Sequence, residues 1–341
     1  MTQKRDVQIT SPIAVAPMMD WTDRHCRYFM RLLSPSALLY TEMVTAAAIH
    51  HGDYESILTF DDSERPVALQ VGGSDPELMA EAARRGAEFG YDEININVGC
   101  PSDRVQSGQF GACLMARPDV VAQCLRAMQD EVEIPVTVKT RIGIDDQDHY
   151  EFLRRFVDSV VDAGCEKLIV HARVAILDGL SPKENRTIPP LKYEHVYRLK
   201  EELSELTIVL NGGITCVDAV DEALRHVDGV MIGRQAYHDP YFLARLENHL
   251  DPQFELPDRR EIIAGMLPYI ERELAEGERL GRITRHMLGL FTGAPGARAW
   301  RRYISENAFR EGAGTEVLLD ALTCLPVATS GTERKNVPVA G

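Results

Sequence analysis

What this chain lacks narrows it first. No apolar run reaches the ~18 residues that a membrane-spanning helix needs, and the first ten residues are polar where a secretory leader would carry an apolar stretch. The seven cysteines, an odd count, include no Cys-x-x-Cys pair, which fits neither a disulfide framework nor a zinc site. A reducing, cytoplasmic setting is the expectation that follows. There is no Gly-x-Gly-x-x-Gly fingerprint, so a Rossmann dinucleotide domain is not expected. Positive charge is scarce, with 37 Lys and Arg against 52 Asp and Glu for a net −15. That argues against a general nucleic-acid binder, whose affinity comes from clustered cations.

The scarcity is uneven. Residues 281–310 hold Arg282, Arg285, Arg298, Arg301, Arg302 and Arg310 against one acid, Glu306. Two readings stand side by side, a local basic face on an acidic body and a helix with ordinary solvated arginines.

Hydrophobic residues make up 45% of the chain and fall into eight short runs within the first 250 residues. These are Ile13 to Met18, Leu38 to Met43, Pro66 to Gly73, Glu93 to Cys100, Pro135 to Ile142, Lys167 to Arg173, Ile208 to Ile214 and Gly229 to Arg234. Between them lie amphipathic segments, among them Pro76 to Phe89, Asp119 to Glu131, Tyr150 to Ala163, Tyr193 to Leu203 and Val217 to His226. Eight nearly continuous apolar strands alternating with helices predict a parallel sheet covered on its outer face, and its simplest closed form is a (β/α)8 TIM barrel of the α/β class. A doubly wound open sheet is the competing arrangement. After Asp251-Pro252 and Pro257-Asp258 the strands stop. The expectation is therefore a barrel over residues 1–250, a small all-helical domain over 251–325 and a disordered tail over 326–341.

Chemistry in such a barrel sits at the carboxyl ends of the strands. Cys100 ends a strand-to-turn stretch behind two side-chain amides, Asn95 and Asn97, where a thiol can deliver a proton; Cys124 and Cys165 fall on helical faces and read as small buried hydrophobes. Lys139, inward on an apolar strand, points to a bound anion or electron-rich ring. His171 could be a core histidine or a member of the site, and Gln70 could cap a turn. Asn211-Gly212-Gly213 after the seventh run and Gly233-Arg234 after the eighth stand where barrels bind phosphate through backbone N–H groups.

Seven motifs in order along the chain resemble the flavin-dependent tRNA-dihydrouridine synthases. They are Ala16-Pro17-Met18-Met19-Asp20-Trp21-Thr22-Asp23, Leu69-Gln70-Val71-Gly72-Gly73, Asn95-Ile96-Asn97-Val98-Gly99-Cys100-Pro101-Ser102, Val138-Lys139-Thr140-Arg141, Val170-His171-Ala172-Arg173, Asn211-Gly212-Gly213-Ile214 and Ile232-Gly233-Arg234. The stretches Gly179 to Arg186 and Gly289 to Arg298 further resemble the A subfamily, whose targets are D-loop uridines 20 and 20a.

The resemblance implies FMN across the barrel mouth, with Pro17, Met18 and Met19 under the ring, Gln70 and Lys139 at its polar edge, His171 nearby, and the phosphate on Asn211, Gly212, Gly213, Gly233 and Arg234. It implies NADPH as reductant, hydride transfer from the flavin N5 to C6 of uracil, and a proton from Cys100 to C5. A thiol of ordinary pKa, ~8.5, is mostly protonated at neutral pH and suits that step. Asn97 would orient the uracil, and Arg141 or Arg173 would hold a carbonyl or phosphate. Pulling a uridine out of a folded tRNA requires backbone contacts as well, expected from Arg298, Arg301 and Arg302 and from Lys183 and Arg186. The last two lie in a loop, Val174 to Pro190, long enough to be a mobile lid. No membrane contact and no stable protein partner is implied. A small-molecule dihydropyrimidine or dihydroorotate-type flavin dehydrogenase on the same barrel, and a non-catalytic RNA-binding descendant, remain the alternatives.

Overall fold

The computed structural model describes residues 11–326. Residues 1–10, and all of the expected tail except Pro326, lie outside the described residues. The chain divides into two compact units, one ending at Asp258 and the other starting at Arg259. Among the described residues no helix is long and apolar enough to cross a membrane.

The first unit is a closed parallel barrel. Its strands are β1 (Ile13–Val15), β2 (Leu38–Tyr40), β4 (Val67–Gly72), β5 (Glu93–Val98), β6 (Val136–Arg141), β7 (Lys167–His171), β8 (Thr207–Asn211) and β9 (Gly229–Ile232). Each pairs in parallel with its neighbours, β2 with β4 and β9 back onto β1, so no edge is left open. The two-residue strand β3 (Val44–Thr45) only extends β4 at Val71 and Gly72. The expected run from Leu38 to Met43 breaks after Tyr40, because the Thr41 hydroxyl takes the Gln70 backbone N–H at 3.0 Å where a strand carbonyl would otherwise stand.

All residues of β4, β5, β7 and β9 are buried; β4, β7 and β9 accordingly read as mostly apolar runs, while β5 alternates apolar residues with polar ones that face the barrel interior. Ala14, Ala16, Tyr40, Ala68, Ile169, Val209 and Met231 fill the barrel interior, with Met18 and Leu38 packed on them. The outer helices start and stop on local signals. Pro76–Phe89 begins at Asp75, whose carboxylate accepts the N–H groups of Glu77 and Leu78, and ends at Gly90 with φ of +89°.

The second unit is helical, as expected. Its helices include Arg259–Ala275, Ala297–Asn307 and Glu316–Thr323. In Ala297–Asn307 the buried Trp300 and Ile304 face inward, Trp300 donating to the Met287 carbonyl at 3.2 Å and packing its ring on Phe291. Arg298, Arg301 and Arg302 are exposed, Arg301 and Arg302 each about one turn on from Arg298.

Candidate active site

Alternation along the strands decides which side chains reach the barrel interior. On β5 these are Glu93, Asn95 and Asn97, and on β6 Thr137, Lys139 and Arg141. Gln70 comes from β4, Lys167 and His171 from β7, and Asn211 from β8. Cross-strand register brings Gln70 beside Asn95, Asn97 beside Lys139, Arg141 beside His171, and His171 beside Asn211. The carboxyl-end layer is thus polar, while the layer behind it is mostly apolar.

Cys100 leaves β5 on a fastened loop. Its backbone N–H and that of Gly99 both donate to Asn97 Oδ1, at 3.0 and 3.1 Å, and its carbonyl accepts from the Ala112 N–H at 2.9 Å. The thiol is half-exposed and 3.5 Å from Ser102 Oγ. Cys124 and Cys165 are fully enclosed, and burial pushes both thiols up to about 12, as inert core groups.

Five cations share this end of the barrel. Lys139 has no hydrogen bond or ion pair with any described residue, and burial followed by repulsion from Arg141 lowers its ammonium to about 7. The groups that perturb Lys139, Arg141, Arg173 and Arg186 are one another, Arg234, Cys100 and Tyr193, with no carboxylate among them. His171 sits beneath them. Burial, then Arg141, Lys139, Arg173 and Arg186, push it well below its ordinary range, so the imidazole is neutral.

Not all of these cations are free for a ligand. Arg141 is 3% exposed and ties loops together, donating to the carbonyls of Gly99 at 2.9 Å, Val174 at 3.1 Å and Asn185 at 3.0 Å. These bonds use Nε and Nη1, so the guanidinium, expected to hold a carbonyl or phosphate, also fastens the loop that carries Cys100. Arg173 donates from Nη1 to the Pro189 carbonyl, but its Nε is buried with no partner. Arg234 donates to the Arg186 carbonyl at 3.1 Å, while Lys183 and Arg186 are exposed.

The loop after β7 is held rather than loose. The buried Asn185 side chain bonds Ile176 at both its N–H and its carbonyl, and Gln106 bridges Pro101 and Leu177. Length alone suggests a lid; the buried amide is what fastens it.

After β8, Asn211 donates to the Met231 carbonyl at 2.7 Å, so its amide braces the barrel. Gly212 and Gly213 have φ of +108° and +74°. A Cβ on Gly212 would stand 2.6 Å from the His171 ring, so only glycine fits there. Around Gly233 a Cβ would meet nothing within 4 Å, which leaves open space beside the backbone. At β1, Pro17 and Met18 are half-buried and Met18 packs on the interior, whereas Met19 is 57% exposed and does not join it.

The fold, the thiol loop and the cation cluster define a barrel-mouth site, and comparison with known proteins gives its lineage. The family model described as dihydrouridine synthase matches residues 14–325. The chain belongs to the dihydrouridine synthase family. It is 58% identical over 316 residues to the tRNA-dihydrouridine(20/20a) synthase of Vibrio vulnificus (strain CMCP6), covering 92% of this chain and 97% of that protein. The protein of the same name from Synechocystis sp. (strain ATCC 27184 / PCC 6803 / Kazusa) is 59% identical over 313 residues, 92% of this chain and 94% of its own. That from Escherichia coli (strain K12) is 57% identical over 326 residues, 94% of each. Dihydrouridine synthases are oxidoreductases and generally depend on a flavin.

A second set of interior groups, Tyr40, Glu93, Thr137 and Lys167, was not expected from the sequence. Its signal was present as polar residues at every second position of β5, Glu93-Ile94-Asn95-Ile96-Asn97.

Proposed function

We propose that this chain reduces the uracil 5,6 double bond of D-loop uridines in tRNA, at the 20/20a positions, with FMN as its resident cofactor and NADPH as reductant. The observation that carries the reading is the gathering of Lys139, Arg141, Arg173, Arg186 and Arg234 around Cys100, without a carboxylate, in a chain of net charge −15. Uncompensated cations at one site call for an anion.

The residues present fit FMN. Lys139 lacks a counter-ion and Arg173 Nε lacks an acceptor, the needs that an anionic ring edge and a phosphate would meet. Gly233 leaves open space beside the backbone next to Arg234, and Gly212 and Gly213 make the positive-φ turn whose N–H groups would meet the phosphate, while Pro17, Met18 and Met19, at the end of β1, would lie against the ring, with Gln70 and His171 at its polar edge. When bound, FMN supplies the hydride that adds to C6 of uracil.

Cys100 gives its proton from Sγ to C5, which completes the addition of one hydride and one proton across the double bond, and solvent restores the thiol. Lys139 and Arg141 stand near enough to Cys100 to interact with it electrostatically, so the sulfur that has given up its proton would have cations beside it. Asn97 donates to the uracil and orients it, and neutral His171 does not add a further charge beneath the ring. Arg298, Arg301 and Arg302 in the helical unit, and Lys183 and Arg186 in the barrel unit, take tRNA phosphates.

The test is anaerobic. Enzyme purified with its flavin, bleached by NADPH and then mixed with unmodified tRNA, should regain its visible absorption as dihydrouridine forms in the D-loop. Reoxidation by free uracil or orotate and not by tRNA would replace this reading with the small-molecule dehydrogenase.

A further inference from the structure

One chain of hydrogen bonds runs through the barrel from Glu93 to Cys100, and its direction is fixed at both ends. Glu93 is 4% exposed and, paired with Lys167 at 2.7 Å, can only accept. Its Oε1 takes the hydroxyl protons of Tyr40 and Thr137, each at 2.6 Å. The one Thr137 proton is thereby committed, and its oxygen accepts from Asn95 Nδ2 at 2.8 Å. Asn95 must then turn its oxygen to Gln70 Nε2, at 2.8 Å, and Gln70 must turn its oxygen to Asn97 Nδ2, at 2.8 Å. Asn97 is left with its oxygen facing the backbone N–H groups of Gly99 and Cys100, which can only donate. An acceptor-only carboxylate at one end and donor-only amides at the other permit a single orientation of all three side-chain amides, fixed by the hydrogen-bond network itself.

This polarity reaches the ligand. Each amide oxygen is occupied, and Gln70 and Asn97 each keep one N–H with no partner among the described residues. We infer that Glu93 and Thr137 are positioning residues that, together with the Gly99 and Cys100 N–H groups at the other end of the chain, hold Gln70 and Asn97 in place as hydrogen-bond donors, so that the site selects rings presenting carbonyl oxygens to them. This rests on the proposed uridine reduction and specifies it. As hydride adds to C6, charge develops on C5 and the C4 oxygen of uracil, and a donor held in place there acts where the charge appears. A side chain free to rotate would have to reorient first, and one turned the other way would set an oxygen against an oxygen. The relay runs through Thr137 alone. Tyr40 donates to the same carboxylate oxygen but passes nothing on.

That difference gives the test. Thr137→Val and Tyr40→Phe each remove one hydroxyl from Glu93 Oε1. Flavin-loaded, NADPH-reduced Thr137→Val should be reoxidised by saturating unmodified tRNA about 10-fold more slowly than wild type, with half-saturation by tRNA and reduction by NADPH within about 2-fold. Thr137→Ser should restore the rate, and Tyr40→Phe should stay within about 2-fold of wild type. If Thr137→Val gives no folded protein, Glu93→Gln combined with Lys167→Met carries the same expectation, because it replaces the acceptor-only anchor with a group that can donate and leaves no unpaired buried charge. Equal slowing in Thr137→Val and Tyr40→Phe, or no slowing in Thr137→Val or the double variant, overturns the relay while the function stands. A wild type that tRNA does not reoxidise removes the proposed function itself, and the relay with it.

Discussion

The backbone N–H of Cys100 donates to the side-chain oxygen of Asn97 at 3.0 Å, which ties the thiol's loop to the last inward residue of a fully buried strand. The proposed acid and the amide proposed to orient the uracil are thus one rigid unit. The bond uses the backbone of Cys100, not its sulfur, so replacing the side chain leaves it intact.

Cys100→Ala should therefore fold, hold FMN and be reduced by NADPH at close to the wild-type rate. Only the tRNA half-reaction loses its proton donor, and reoxidation should slow by roughly 10²- to 10⁴-fold. Stopped-flow absorbance of the reduced variant mixed with tRNA measures it. Reoxidation at the wild-type rate would take Cys100 out of the mechanism.

Lys139 gives a pH dependence. Its ammonium is lowered to about 7, by burial and then by Arg141, from the ~10.4 of an unfolded chain. Below pH 7 both states carry the proton and the folded state bears the full cost of the buried charge. From pH 7 to about 10 the unfolded state binds more protons, so stability of the flavin-free protein should rise with pH across that window. A bound anion reverses the preference, and FMN binding near pH 8 should take up a proton. Calorimetry in buffers of different ionisation enthalpy reads the uptake, and Lys139→Met should abolish it and weaken FMN retention. Proton uptake unchanged in the variant would place the titrating group elsewhere.

The strands are legible because nearly all of their residues are enclosed, which writes β4, β7, β8 and β9 as mostly apolar runs, while β5 and β6 interleave polar residues that face the barrel interior. The ends were read too long for the same reason: Met18 and Ile214 lie past their strands, yet Met18 packs on the interior and Ile214 is 4% exposed. The helix Arg24–Leu33 escaped, since it buries Arg27 against Glu64 at 2.6 Å and so puts a charge on its apolar face. Single residues were legible when their chemistry was odd for their place, as with Lys139 on an apolar strand. Roles set by cross-strand register were not. Nothing local distinguishes Arg141, which grips three carbonyls, from a ligand-binding arginine, and Lys167 opens its strand far in sequence from the carboxylate it meets.

That buried pair sets a stability prediction. Lys167→Met removes the counter-ion of Glu93 and leaves a carboxylate held only by Tyr40 and Thr137 in the barrel interior. Breaking one side of a buried pair costs about 3–5 kcal/mol. Urea unfolding followed by circular dichroism should show a loss of that size, and Glu93→Gln added to Lys167→Met should recover part of it. A loss under about 1 kcal/mol would mean that the site admits water and screens the charge.

The arginines of the helical unit test where tRNA affinity comes from. Arg298, Arg301 and Arg302 are exposed, and none has a hydrogen bond or ion pair with a described residue, in contrast to Arg282, which pairs with Glu278 at 3.3 Å. Free cations on one helix face lose little on meeting phosphate, because no internal bond must break first. Replacing Arg298 or Arg301 with Gln should weaken tRNA binding and lower the slope of log affinity against log salt by about 0.7 to 0.9 for each phosphate no longer neutralised. FMN content and NADPH reduction should not change, and Arg282→Gln, which breaks an existing ion pair, should shift the slope less. Filter binding across a salt series measures all three. Slopes identical to wild type in both Arg298→Gln and Arg301→Gln would make this face ordinary solvated surface and move the search for phosphate-binding groups to Lys183 and Arg186.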